Sequence, residues 1–288
     1  MGLVALLGLL WHAPAMALPL ASTAEARAPT FVTAVNIFGY DDREPVADGS
    51  MDDRELSAVG ILSRDGRAEA TAFLLGRHDL VVTTAHSFYA RGAFKDGAYV
   101  FLPAGDSDAA IPIDEDAIVA VGTRHPRQEP WRDWAVVRLS RPVGTDYRPL
   151  DFVLPSAALV ASRTPDVRLA AFHRDRIERD ARAVRYISTG CGVEPKQAGD
   201  HFQNIDEIYL HDCDFDVISS GGPLLIRQGG GFKVFAINAG FFTPYRPARS
   251  SGPTAFERYD GRTNPNYGVR MEGDLADVLQ RLLAERTS

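Results

Sequence analysis

The feature that most constrains this chain is a long succession of short apolar runs cut by turn-forming residues. From about Phe31 onward they include AVGILS (58–63), TAFLLG (71–76), LVVTTAH (80–86), AYVFLP (98–103), AIVAVG (117–122), WAVVRL (134–139) and FKVFAINAGFF (232–242). Most are four to eight residues long and rich in Val, Ile, Phe and Thr, side chains that suit a pleated, buried surface. Gly, Pro, Asp and Arg fill the gaps, as turns require. Regularly spaced strands without helical periodicity between them predict an all-β fold, a sandwich or a barrel. One helix is predicted at the end. GDLADVLQRLLAER (273–286) sets Leu275, Val278, Leu279, Leu282 and Leu283 on one face at i, i+3, i+4, i+7, i+8. A second helical stretch is expected around 154–162, and GTDYRPLDF (144–152) is the expected crossover between two halves.

Charge narrows the function classes. The net charge is −7, from 38 acidic and 31 basic residues, and no block of like charges stands out. That pattern carries neither a nucleic-acid footprint nor a polybasic membrane patch. The opening residues, MGLVALLGLLWHAPAMALPLA, are apolar and lack any acidic group. They read as a secretory signal over 1–28, with Ala15-Met16-Ala17 or Ala26-Arg27-Ala28 as cleavage sites. The alternative is an N-terminal membrane anchor, but Pro14, Pro19 and His12 interrupt a stretch already short for a span. A secreted or periplasmic protein is therefore expected, with no stable membrane association once the signal is removed. Cys191 and Cys213 are the two cysteines. In an exported chain an even count suggests one disulfide; two buried thiols are the alternative. No CxxC pair or ligand-like His arrangement indicates a metal site.

Three segments carry the residue types that acyl transfer needs: a nucleophile, a base, and a group that orients the base. In LVVTTAHSF, His86 follows a β-branched run, so it falls where a strand ends. In RDWAVVRL, Asp133 directly precedes an apolar strand, where a partly buried carboxylate needs a hydrogen-bond donor. In CDFDVISSGGPLL, Ser220 stands before Gly221 and Gly222, which let backbone and substrate approach closely. Each signal alone is weak. Their order, His86, Asp133, Ser220, is one of the known triad orders.

VVTTAH, DWAVVRL and SSGGPLL resemble the three catalytic blocks of chymotrypsin-like serine peptidases. IFGYDDREPV (37–46) and LHDCDFDVISSGGPL are similar to the secreted bacterial glutamyl endopeptidase-like branch. The resemblance covers about Ile37 to Gly240. It implies two antiparallel β-barrels, about 37–146 and 147–270, with the terminal helix at about 273–286. It also implies a monomer acting on polypeptides without a cofactor, with His86 and Asp133 from the first barrel and Ser220 from the second. Two positions before the nucleophile the family carries a glycine whose N–H helps form the oxyanion hole. Here it is Ile218, a residue that resists positive φ. Loss of one such donor costs about 10²–10³ in turnover, so Ile218 also fits an impaired homologue that binds peptide or a partner protein. Ser219 replaces the aspartate that digestive enzymes pair with a freed N-terminus, so that activation switch is not expected. Asp214, six before Ser220, matches the floor of a trypsin-like specificity pocket. Asn238 stands where a histidine reading a substrate carboxylate is expected, which argues against glutamyl preference. Asn238, Ala239 and Gly240 are the expected backbone partners of an extended substrate.

Overall fold

In the computed structural model, residues 35–154, 167–180, 182–242, 254–256 and 258–285 are described. The signal expected over 1–28 lies outside them, as does the helix expected around 154–162 apart from Leu154.

Strands fall where the apolar runs predict them. β1 (Val35–Phe38) and β2 (Arg43–Pro45) open the described chain. Then come β3 (Val59–Arg64), β4 (Arg67–Leu74), β5 (Leu80–Thr83), β6 (Tyr89–Ala90), β7 (Ala93–Phe94), β8 (Tyr99–Leu102), β9 (Ile111–Ile113), β10 (Ile118–Val121) and β11 (Ala135–Arg138). β6 and β7 pair with each other, and the other seven form one antiparallel sheet in the order β10-β11-β5-β4-β3-β8-β9. β5 is buried at every position, which is why LVVT shows no polar alternation. Its one hydroxyl, on Thr83, is satisfied by donating to the Thr71 carbonyl at 2.8 Å.

β12 (Asp151–Phe152) begins the second half, followed by β13 (Arg168–Ala171), β14 (Tyr186–Ser188), β15 (Val193–Glu194), β16 (Ile208–His211), β17 (Phe215–Asp216), β18 (Pro223–Gln228), β19 (Gly231–Phe241), β20 (Thr254–Phe256) and β21 (Asn266–Arg270). Its main sheet runs β15-β16-β21-β19-β18-β13-β14-β2, with β12 added parallel to β19. The two sheets curl into two half-barrels. The expected crossover does join them: Leu150 bridges to Leu75 of the first half, and Asp151–Phe152 pairs with Lys233–Val234 of the second.

One boundary needs correction. Residues 37–46 were expected in the first barrel, but β2 pairs with β14, and β1 lies between β17 and β20. The N-terminal strands therefore belong to the second half. The reason is side-chain chemistry at long range. Buried Asn36 donates through Nδ2 to the Asn264 carbonyl at 3.1 Å and to Asn266 Oδ1 at 2.5 Å, which fixes β1 on that side.

Helices are few. α1 (Met51–Glu55) is capped by Ser50, whose Oγ accepts the Asp53 N–H at 3.0 Å. α2 (Arg174–Asp180) is almost entirely charged. α3 (Gly273–Ala284) is the predicted terminal helix, with Leu275, Leu279 and Leu282 buried and Val278 and Leu283 packed against the core. It returns to the first half, where Arg77 Nη1 donates to the Glu285 carbonyl at 2.8 Å, satisfying a backbone acceptor at the helix end.

Cys191 and Cys213 are joined in a disulfide across 22 residues, just outside the β15–β16 pairing. A loop of that size gives about 3 kcal/mol by chain entropy. Unfolding in urea with and without reductant should show a loss of about that size, and equal midpoints would refute it.

Candidate active site

Sheet register brings His86 and Asp133 together. In the antiparallel pair β5–β11, Thr83 lies opposite Ala135. Three residues past Thr83 and two before Ala135 leave the sheet at the same end, and His86 and Asp133 occupy those places. His86 sits in a single 3-10 turn, Ala85–Ser87, and Asp133 ends another, Pro130–Arg132. The carboxylate of Asp133 is 2% exposed and holds His86 twice. Oδ1 accepts the His86 backbone N–H at 2.8 Å, and Oδ2 lies 2.7 Å from Nδ1. An ionised carboxylate only accepts, so the ring proton sits on Nδ1 and the Nε2 lone pair is left for chemistry.

Ser220 follows a 3-10 turn over Val217–Ser219. Next to it Gly221 takes φ +83°, and a Cβ there would lie 2.1 Å from the Thr71 carbonyl and 2.2 Å from Thr83 Oγ1. The Ser220 turn is thus pressed against the strand that leads to His86. Ser220 Oγ donates to the Ala239 carbonyl at 3.4 Å and makes no hydrogen bond with His86 among the described residues. Catalytic hydrogen bonds are often long or unaligned until substrate is bound.

Ile218 does not take a positive φ; the left-handed residue of the turn is Gly221. Its N–H is nevertheless in use, donating to Asp216 Oδ1 at 3.0 Å. The same oxygen accepts the Arg174 N–H at 2.9 Å. Asp216 is fully buried, and burial pushes its carboxyl up to about 6. Ser219 completes the turn: its Oγ donates to the Asp216 carbonyl at 2.6 Å and accepts the Asp216 N–H at 3.1 Å. Nothing in the sequence singles out Asp216 beyond an acid four residues before the serine.

Two expected substrate contacts are placed otherwise. Asp214 was matched to a pocket floor, but its carboxylate is 2% exposed and accepts the N–H groups of Phe38 at 2.9 Å and Asp42 at 3.0 Å. Burial pushes it up to about 7. It anchors the N-terminal segment, so a preference for basic side chains loses its basis. Asn238 is fully buried and braces the turn that carries Ser220. Its backbone exchanges hydrogen bonds with Gly221 and Gly222 at 2.7 and 2.8 Å, and its Nδ2 donates to the Ser219 carbonyl at 2.8 Å. Ala239 sits where the β19–β21 register shifts, while Gly240 pairs with Tyr267. Among the described residues no group of three or more His, Cys, Asp or Glu could hold a metal ion, and no helix is long and apolar enough to cross a membrane.

No protein-family model and no curated protein matches the chain. Solved structures do. A Glu endopeptidase in complex with MPD superposes with a TM-score of 0.63 at 12% identity, over 86% of this chain and 100% of its own. With its two half-barrels and terminal helix, this chain has the chymotrypsin-like serine protease fold.

Proposed function

We propose that the protein is an exported serine endopeptidase with Ser220 as nucleophile. The observation that carries this reading is the two-point grip of Asp133 on His86, which fixes both the ring and its tautomer. Ser220 Oγ attacks the scissile carbonyl as His86 Nε2 takes its proton. The charged imidazolium is stabilised by Asp133, then returns that proton to the leaving amine. Water repeats the sequence in reverse, releasing the acid and restoring Ser220. Export is supported by the apolar leader and by the disulfide, which persists in oxidising compartments.

A second reading, a peptide-binding homologue without turnover, is favoured by one observation: the Ile218 N–H is spent on Asp216. Labelling of the mature protein with a fluorophosphonate separates the two, because phosphonylation needs both an activated serine and oxyanion donors. We expect an adduct on Ser220 that His86→Ala abolishes. A folded protein that takes up no probe overturns the first reading and favours the second.

A further inference from the structure

Ser220 comes from one half of the molecule and the His86–Asp133 pair from the other. Catalytic groups must be held to within about 0.5 Å of productive geometry, so something has to fix one half against the other at this point. Thr71, in β4 of the first half, is fully buried and spends every hydrogen-bonding group there. Its N–H donates to the Ser220 carbonyl at 2.9 Å. Its hydroxyl donates to the Ile218 carbonyl at 2.8 Å and accepts the Phe172 N–H at 3.1 Å. Its carbonyl accepts Thr83 Oγ1, three residues before His86.

We propose that Thr71 is a positioning residue for the reaction: its hydroxyl registers the nucleophile turn of the second half on the strands that carry His86. The role rests on the protease reading above. With Asp216 holding the Ile218 N–H and Thr71 holding its carbonyl, both peptide groups flanking Ile218 are fixed. Removing the hydroxyl frees the Ile218 carbonyl and the Phe172 N–H in a buried setting. Each then seeks a new partner, because an unpaired buried group is costly. The turn moves, and Ser220 moves with it. Probe affinity should stay as it was, because Thr71 is fully buried and its hydroxyl faces the Ile218 carbonyl and the Phe172 N–H.

The test compares Thr71→Val, which keeps the shape and loses the hydroxyl, with Thr71→Ser, which keeps the hydroxyl. Saturation of fluorophosphonate labelling at Ser220 separates the inactivation rate from the apparent affinity. Thr71→Val should lower the inactivation rate about 10- to 100-fold, as expected for a nucleophile displaced by up to about 1 Å. Its affinity should stay within about two-fold, and Thr71→Ser should recover most of the rate. If Thr71→Val does not fold, Thr71→Ala carries the same comparison. A folded hydroxyl-free variant that labels at the wild-type rate overturns the proposal, as does a serine variant no better than valine. A wild type that never labels removes the protease reading and this role together, whereas a labelling wild type with an indifferent Thr71 removes only the latter.

Discussion

Exchanging Asp133 for asparagine is expected to lower turnover about 10⁴-fold while leaving the fold intact. The magnitude follows from the two separate hydrogen bonds that the carboxylate makes. One goes to the His86 backbone N–H, a donor that cannot reverse its role. The amide oxygen of asparagine must therefore turn toward that N–H, which places the amide NH₂ against Nδ1 of the ring. An NH₂ group only donates, so Nδ1 has to present its lone pair and the ring proton moves to Nε2. The imidazole then faces Ser220 with a proton it would have to lose before it could accept one. Both contacts survive in altered form, and asparagine matches aspartate in size, so stability should change little. Two measurements decide the matter: nitrogen chemical shifts of the His86 ring should report the exchanged tautomer, and the labelling rate at Ser220 should collapse. An asparagine variant that labels at full rate would show that the His86–Asp133 pair serves only structure.

Much of this arrangement is legible in the sequence, for reasons that can be traced to particular residues. Strands such as LVVT and AVVR are read correctly because both are buried along nearly their whole length, so composition alone marks them. His86 and Asp133 are legible because each sits just beyond the end of such a strand, and neighbouring strands in antiparallel register bring those ends together. What fails is whatever depends on contacts distant in sequence. Asp214 has the position of a pocket floor, yet its acceptors are used by backbone amides of Phe38 and Asp42, which a local pattern does not reveal. Asn238 looks like a substrate-facing residue until its side chain is seen to hold Ser219. β1 and β2 are short strands whose partners lie in the second half, so reading them in chain order puts them in the wrong barrel. α2 is missed because RDRIERD offers only Ile177 to the core and hence no apolar stripe. At Ile218 the sequence raises both the backbone conformation and the N–H as questions, but only the structure reveals that the N–H is taken by the carboxylate of Asp216.

Gly221→Ala should abolish the reactivity of Ser220 without removing any polar group. Two effects combine at this position. The left-handed backbone, φ +83°, costs an alanine about 1–2 kcal/mol. The new methyl would also lie 2.1 Å from the Thr71 carbonyl and 2.2 Å from Thr83 Oγ1. Neither atom is the free end of a flexible chain. The carbonyl belongs to a strand in a sheet, and the hydroxyl is held to that same carbonyl. Relief therefore comes from the turn, which has to lift away from the first half and carry Ser220 from His86. We expect labelling to fall by at least about 10²-fold, in line with the cost of an ångström of misplacement. Gly229→Ala provides the control, because Gly229 has a similar φ of +64° but open space where the methyl would go. That variant should lose only the backbone contribution and label at the wild-type rate. If the two alanines behave alike, strain rather than contact is at work and the Ser220 turn does not depend on its seat against Thr71 and Thr83. If only Gly221→Ala loses the nucleophile, the close approach of the two halves is itself what places Ser220.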